Sequence, residues 1–249
     1  MQVFPYIVIV LFGLVIGSFL NVLILRVPAG ESIVTAPSHC MSCDRRIQWY
    51  ELIPVFSWIF LRGRCSGCKS PISAQYPLVE AATGVLFALI YCRFGFSIET
   101  LIYCSMTSAL FALSVIDFRI YEIPNGFNIF VLGLGIVRLF TDLDNWMLYL
   151  IGLFAVSVLL LIIHLLSRGR AMGGGDIYLM AACGLILGWK LIILAFVLGC
   201  VIGSIVHLAR MALKRAGTVL AFGPYLSAGV FIAAMFGNEL INAYLRLYI

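Results

Sequence analysis

The sequence predicts an all-α integral membrane protein of about eight transmembrane helices, with one cysteine-bearing loop between the first two. Three observations carry that prediction. Hydrophobic residues make up 63% of the 249-residue chain and charged residues 11%, against about 25% charged in a soluble domain. Segments without Asp, Glu, Lys or Arg recur along the whole length. Twelve of the sixteen Lys and Arg residues fall in alternate connections between those segments. The chain thus divides into a first transmembrane helix (1–26), a polar loop (27–76) and a seven-helix membrane core (77–249).

The helices are expected at 5–25, 77–93, 98–117, 123–141, 145–166, 174–189, 191–211 and 220–245. The first is charge-free and lacks the basic flank and small-residue cleavage site of a signal peptide, so it is read as a retained span. The second tolerates a single acid, Glu80. The third, fourth and fifth rest on charge-free runs at 100–116, 123–137 and 145–167, the seventh and eighth on runs at 191–209 and 216–238. The sixth has only the thirteen residues between Asp176 and Lys190. That is about 20 Å of helix, short of a hydrocarbon core of about 30 Å. Such a helix must begin upstream, or the membrane must be thinned or wetted there.

With the N-terminus outside, the odd-numbered connections face the cytoplasm. They hold Arg26, five basic residues from Arg45 to Lys69, then Arg119, Arg168, Arg170, Arg210, Lys214 and Arg215. Arg93, Arg138, Lys190 and Arg246 are left on the other face. Twelve against four follows the positive-inside rule and puts both termini outside the cytoplasm. The net charge of +5 is therefore a topology signal. It implies membrane lipid as surroundings and no nucleic acid as partner.

Only the 27–76 connection is long, with turns marked by Pro28, Pro37, Pro54 and Pro71. It carries Cys40, Cys43, Cys65 and Cys68, spaced C-x2-C, 21 residues, C-x2-C. Each pair can form a knuckle that directs two thiolates to one tetrahedral metal, so a structural Zn2+ leads and the loop is zinc-ribbon-like. Reduced thiols without metal, redox chemistry and two disulfides are the alternatives, and a cytoplasmic placement weighs against disulfides. A loop of about fifty residues is also near the size that needs a staple. His39 adjoins Cys40 as a competing ligand, although four cysteines complete a site. Cys92, Cys104, Cys183 and Cys200 stand singly in helices, where small buried apolar residues belong.

Most of the eleven acids lie in the polar loop or near outer helix ends. Asp117 and Asp176 differ, because each sits where an apolar segment meets the cytoplasmic side. Both adjoin odd-numbered connections, Asp117 before the third and Asp176 after the fifth, so they share a face and a similar depth. Two carboxylates in a low-dielectric site cannot both ionise cheaply, which yields one acid and one base near neutral pH. Such a pair can take a proton from water and give one to a scissile carbonyl. Gly173, Gly174 and Gly175 precede Asp176 and let another backbone approach closely. The competing reading is structural: Asp117 caps or pairs with Arg119, and Asp176 satisfies free N–H groups at a helix start.

Five stretches then resemble one known family. "GSFLNVLILRVP" (17–28), the cysteine loop from "CMSCDRRIQW" to residue 84, "IDFRIYEIPN" (116–125), "GGGDIYLMAACGLILGW" (173–189) and "FGPYLSAG" (222–229) occur in the order and spacing of the type IV prepilin peptidases. The resemblance spans nearly the whole chain. It implies that Asp117 and Asp176 are the catalytic pair of a GxGD-type intramembrane aspartic endopeptidase of the cell (inner) membrane. Its substrates would be type IV prepilins or the pseudopilins of type II secretion, cut at the leader on the cytoplasmic side. The new N-terminus would then be methylated with S-adenosylmethionine as donor. Gly173, Gly174 and Gly175 would leave room for the substrate backbone.

One departure stands out: family members commonly carry Lys two positions after the second aspartate, and this chain has Tyr178. No Rossmann-type glycine-rich turn is legible, so the methyl-donor site is expected between the cysteine loop and adjacent helix ends. Glu80 is its candidate participant, and pairing with a loop arginine is the other reading of that acid. His164 and His207 are read as helix-end residues. Two other functions compete, a proton-coupled transporter using the Asp pair as a relay and a non-enzymatic pilus or secretion assembly factor. A transporter would show repeat symmetry or paired broken helices, and none is legible here.

Overall fold

Every expected span is helical in the structure, a computed structural model that describes residues 3–34, 37–170, 172–213 and 220–247. Lys214 and Arg215, counted above for topology, lie outside the described residues. In chain order the helices are α1 (Val3–Ala29), α2 (Phe56–Phe60), α3 (Gln75–Phe94), α4 (Ile98–Ile120) and α5 (Asn125–Thr141). They continue as α6 (Trp146–Ala155), α7 (Ser157–Leu166), α8 (Gly174–Leu187), α9 (Trp189–Ala212) and α10 (Gly223–Arg246). Six segments are long and apolar enough to cross a membrane: α1, α3, α4, α6 with α7, α9 and α10. The other two, α5 and α8, have 17 and 14 residues. Large apolar side chains such as Phe4, Leu78, Ile129 and Phe140 face outward, as lipid-facing residues do. The chain is a multi-pass membrane protein.

Helix ends that differ from expectation have local causes. α5 starts at Asn125 because Pro124, at its cap, keeps ψ at 129° and holds the residue before it out of the helix. α8 stops at Leu187 because Gly188 adopts φ +78°. The α6–α7 segment is interrupted at Val156, beside Ser157, whose Oγ donates to the Leu153 carbonyl at 2.5 Å. Serine bonds of this kind bend helices.

The chain forms two compact units, Met1–Thr100 and Leu101–Ile249. In the first, α1 and α3 pack antiparallel. The ring centroids of Tyr6 and Tyr91 lie 5.0 Å apart, and Asn21 Nδ2 donates to the Tyr76 carbonyl at 3.1 Å near the other end. Between them the backbones touch. A methyl group on Gly13 would lie 2.8 Å from Gly84 Cα, and one on Gly17 would lie 2.6 Å from Glu80 Cα. Small residues four apart allow this approach, which dispersion and not the hydrophobic effect must hold together in lipid.

In the second unit α8 packs against α5, α6, α7, α9 and α10. From Leu185 to Leu187 every side chain is buried, as are Asp176 and Ile177 near its start. The mismatch expected of a short sixth helix is thereby resolved. α8 begins at Gly174, only two residues before Asp176, and a helix sheltered by other helices has no lipid thickness to match.

Candidate active site

Asp117 sits in the last turn of α4, three residues before its end at Ile120. The chain then reverses at Tyr121, which takes φ +57° while its N–H donates to the Asp117 carbonyl at 2.8 Å. The Asp117 side chain is 5% exposed. Its Oδ2 accepts the N–H of Gly223 at 2.9 Å, and Gly223 is the first residue of α10. The first N–H groups of a helix have no partner within it and carry the positive end of its dipole, so α10 is aimed to hold an anion here. Only glycine fits. A methyl group on Gly223 would lie 2.7 Å from that oxygen.

Asp176 lies in the first turn of α8 and is 8% exposed. One side chain ties the neighbours of Asp117 and Asp176 together. A methyl group on Gly175 would meet Ile123 Cβ at 2.9 Å, and one on Gly223 would meet Ile123 Cδ1 at 3.2 Å. Ile123 belongs to the turn between α4 and α5, so the end of α4 and the starts of α8 and α10 converge on it. Asn128, one turn into α5 and 5% exposed, donates from Nδ2 to the Gly175 carbonyl at 3.3 Å.

The three glycines before Asp176 are not equivalent. Gly175 is packed against Ile123, whereas methyl groups on Gly173 or Gly174 would meet nothing closer than 4.0 Å among the described residues. Upstream, the His164 ring Nδ1–H donates to the Met172 carbonyl at 3.0 Å and fastens this stretch to α7. Tyr178 is 62% exposed. Ile123, Asn128 and Gly223 were not singled out from the sequence. Gly223 lies inside "FGPYLSAG", a stretch whose position had a signal but whose N–H did not. Chemically, two buried carboxyls whose neighbours share one side chain, one of them held by a helix start, can exchange protons with water and a carbonyl placed between them.

The cysteines form a separate centre in the first unit. All four ligand atoms lie within 4.8 Å of one another. Cys40 Sγ and Cys68 Sγ are 3.8 Å apart, the edge expected of about 3.8 Å for thiolates 2.3 Å from a tetrahedral zinc. The two knuckles repeat one another. Cys40 N–H donates to Arg45 O and Asp44 N–H to Cys40 O, both at 2.9 Å. Likewise Cys65 N–H donates to Ser70 O and Lys69 N–H to Cys65 O, at 2.9 and 3.0 Å. Asp44 and Lys69 both take positive φ, at +53° and +61°. The backbone N–H of Ser42 and the Ser70 hydroxyl pull the Cys40 thiol down to about 6, while Cys43, despite the Arg45 N–H, is pushed up to about 11 by Cys68 and burial.

A polar clasp joins the knuckles. Arg45 Nη2 donates to both Glu51 oxygens at 2.6 Å, and Ser66 bridges the same two residues. Burial pushes the Glu51 carboxyl up, but bonds from Ser66, the Gln48 N–H and Arg45 outweigh it and hold it below its usual range. His39 is not in the cluster, and its Nδ1 meets the Pro37 carbonyl at 3.3 Å. Glu80 is 6% exposed and accepts the Val55 N–H at 2.6 Å. Val55, a β-branched residue, is held at φ +62° by that anchor.

Residues 11–94 match a sequence profile described as the bacterial peptidase A24 N-terminal domain, and residues 104–208 match the type IV leader peptidase family. The chain is 35% identical to the prepilin leader peptidase/N-methyltransferase of Bacillus subtilis, covering 95% of this chain and 96% of that one. Proteins of the same name from Stutzerimonas stutzeri and Pseudomonas aeruginosa are 32% and 31% identical, over 94% and 95% of this chain and 91% and 92% of theirs. No solved structure matches the chain.

Proposed function

The chain belongs to the type IV leader peptidase family, and from that premise we propose that it cleaves the leader from a type IV prepilin or type II secretion pseudopilin and then methylates the new N-terminus. It is an enzyme, a peptidase and methyltransferase in one chain. Asp117 and Asp176 are its catalytic carboxyls. Asp117 Oδ2 is engaged by the Gly223 N–H, which leaves Oδ1 to take a proton from water as that water attacks the scissile carbonyl. Asp176 gives its proton to the carbonyl oxygen, and the tetrahedral adduct collapses as a proton passes to the leaving nitrogen. The leader departs as a carboxylate and the pilin keeps a free amine. Gly173 and Gly174, with open space around them, admit the substrate backbone beside Asp176, and Gly175 sets the helix start.

The observation that carries this reading is the meeting of Gly175, next to Asp176, and Gly223, whose N–H holds Asp117, on the one side chain of Ile123. Neither competing function needs it. Gly223→Ala is expected to lower kcat for leader cleavage about a hundredfold, the loss typical of one preorganised donor. Helix content by circular dichroism should be unchanged. An unaltered kcat would deny Asp117 its helix-start partner in the reaction.

The four thiols fit a structural zinc held by Cys40, Cys43, Cys65 and Cys68. When bound, S-adenosylmethionine supplies an electrophilic methyl group to the new amine. Its site is assigned to the cysteine-bearing unit, with Glu80 supporting it through the Val55 anchor and not as a direct ligand. The twelve-to-four distribution of basic residues supports an inner-membrane enzyme with both termini outside and the aspartates toward the cytoplasm. Purified chain given a prepilin peptide and S-adenosylmethionine should release the leader and leave the mature peptide one methyl group heavier by mass spectrometry. An intact peptide would refute the assignment.

A further inference from the structure

Asn128 holds one atom that the mechanism above does not use. Its Nδ2 is committed to the Gly175 carbonyl. Its Oδ1 is fully buried and has no hydrogen-bond partner among the described residues. A buried acceptor without a partner costs stability, and such groups persist where something else supplies the donor. The surroundings restrict what that donor is. None of the N–H groups at the starts of α8 and α10 reaches it. The acceptors nearby are the carboxyls of Asp117 and Asp176, which the reaction occupies. Asn128 Oδ1 is a buried acceptor left over, on the residue whose Nδ2 holds the Gly175 carbonyl next to Asp176.

We propose that Asn128 Oδ1 accepts a backbone N–H of the substrate on one side of the scissile bond, so that Asn128 both fixes the start of α8 and registers the extended peptide against the aspartates. This rests on the aspartate reading, because it needs the peptide to lie along that site. An extended chain presents an N–H at every second residue along one edge, so a single acceptor beside the carboxyls sets which peptide bond faces them. Whatever motion admits substrate to Asp117 and Asp176, themselves buried, admits it to Asn128.

The test replaces single substrate N–H groups by ester oxygen, at each position near the scissile bond except that bond itself. Wild-type full-length chain, Asn128→Ala and Asn128→Ser are compared by kcat/KM on each peptide. At one position the ester should weaken the wild type about tenfold, the size of one lost hydrogen bond, and should cost the two variants nothing further. Ester penalties that are absent, or equal in wild type and variants at every position, would overturn the proposal, and a purely structural Asn128 gives that second result. If Asn128→Ala fails to fold, Asn128→Ser carries the comparison, since its shorter side chain withdraws the acceptor while remaining polar. Asp117→Asn and Asp176→Asn are run on the all-amide peptide in the same preparation. Their silence keeps the aspartate reading whichever way the ester scan falls, and their cleavage would sink that reading instead.

Discussion

Asn in place of either Asp117 or Asp176 is expected to reduce leader cleavage about ten-thousandfold, the scale seen when one member of a catalytic unit is removed. The substitution keeps the shape of the side chain and changes only its chemistry. An amide can still accept the Gly223 N–H through its oxygen, so the α10 contact at 2.9 Å survives in Asp117→Asn. What is lost is the proton. An amide does not take one from water at neutral pH, and it does not return one to a carbonyl oxygen. Both steps are required, so each single variant should be silent. Their melting temperatures should be no lower than that of the wild type, because a neutral group in a buried site costs less to hold than a charge.

Loss of metal is expected to have the second largest effect, confined to the 37–72 region of the first unit. The loop has little apolar core of its own: Trp49, Phe56 and Phe60 are all exposed. Structural zinc contributes about 10–16 kcal/mol to the folding of small peptides that depend on it. Wild-type chain purified without chelator should contain about one zinc per molecule by elemental analysis. The paired substitution of Cys40 and Cys65 by Ser should bring that to background, and limited proteolysis should then nick the loop while the spans stay intact. Zinc-free wild type, or variants as resistant as wild type, would leave the knuckles to the Arg45–Glu51–Ser66 clasp alone.

The spans were legible in the sequence because lipid demands uninterrupted apolar runs, and each run appears as a helix within a few residues. That the end of α4 and the start of α8 come together was legible for a related reason, since alternating connections set which helix ends share a face. Interruptions were less visible. The bend at Ser157 comes from one side-chain bond to Leu153, and serine within a helix does not announce it. The short α8 was read as a problem of membrane thickness, because enclosure by other helices leaves no mark on the helix itself. Within the site, Gly223, Ile123 and Asn128 escaped notice because their roles are tertiary. Gly223 meets Asp117 across 106 positions of chain, and no local pattern reports such a contact. The cysteine spacing announced a four-thiol cluster able to hold a metal, but not that the two knuckles repeat the same hydrogen bonds with positive φ at Asp44 and Lys69.

The central claim is that Asp117 and Asp176 act as one catalytic unit. Its most direct test is a comparison of leader release by Asp117→Asn, Asp176→Asn and the double variant, each assayed also for methyl transfer to a leaderless pilin peptide. All three are expected to fall to the same background in cleavage, since members of one unit are not additive, while methyl transfer persists and certifies the fold. Undiminished cleavage by either single variant, or partial losses that multiply in the double variant, would contradict it.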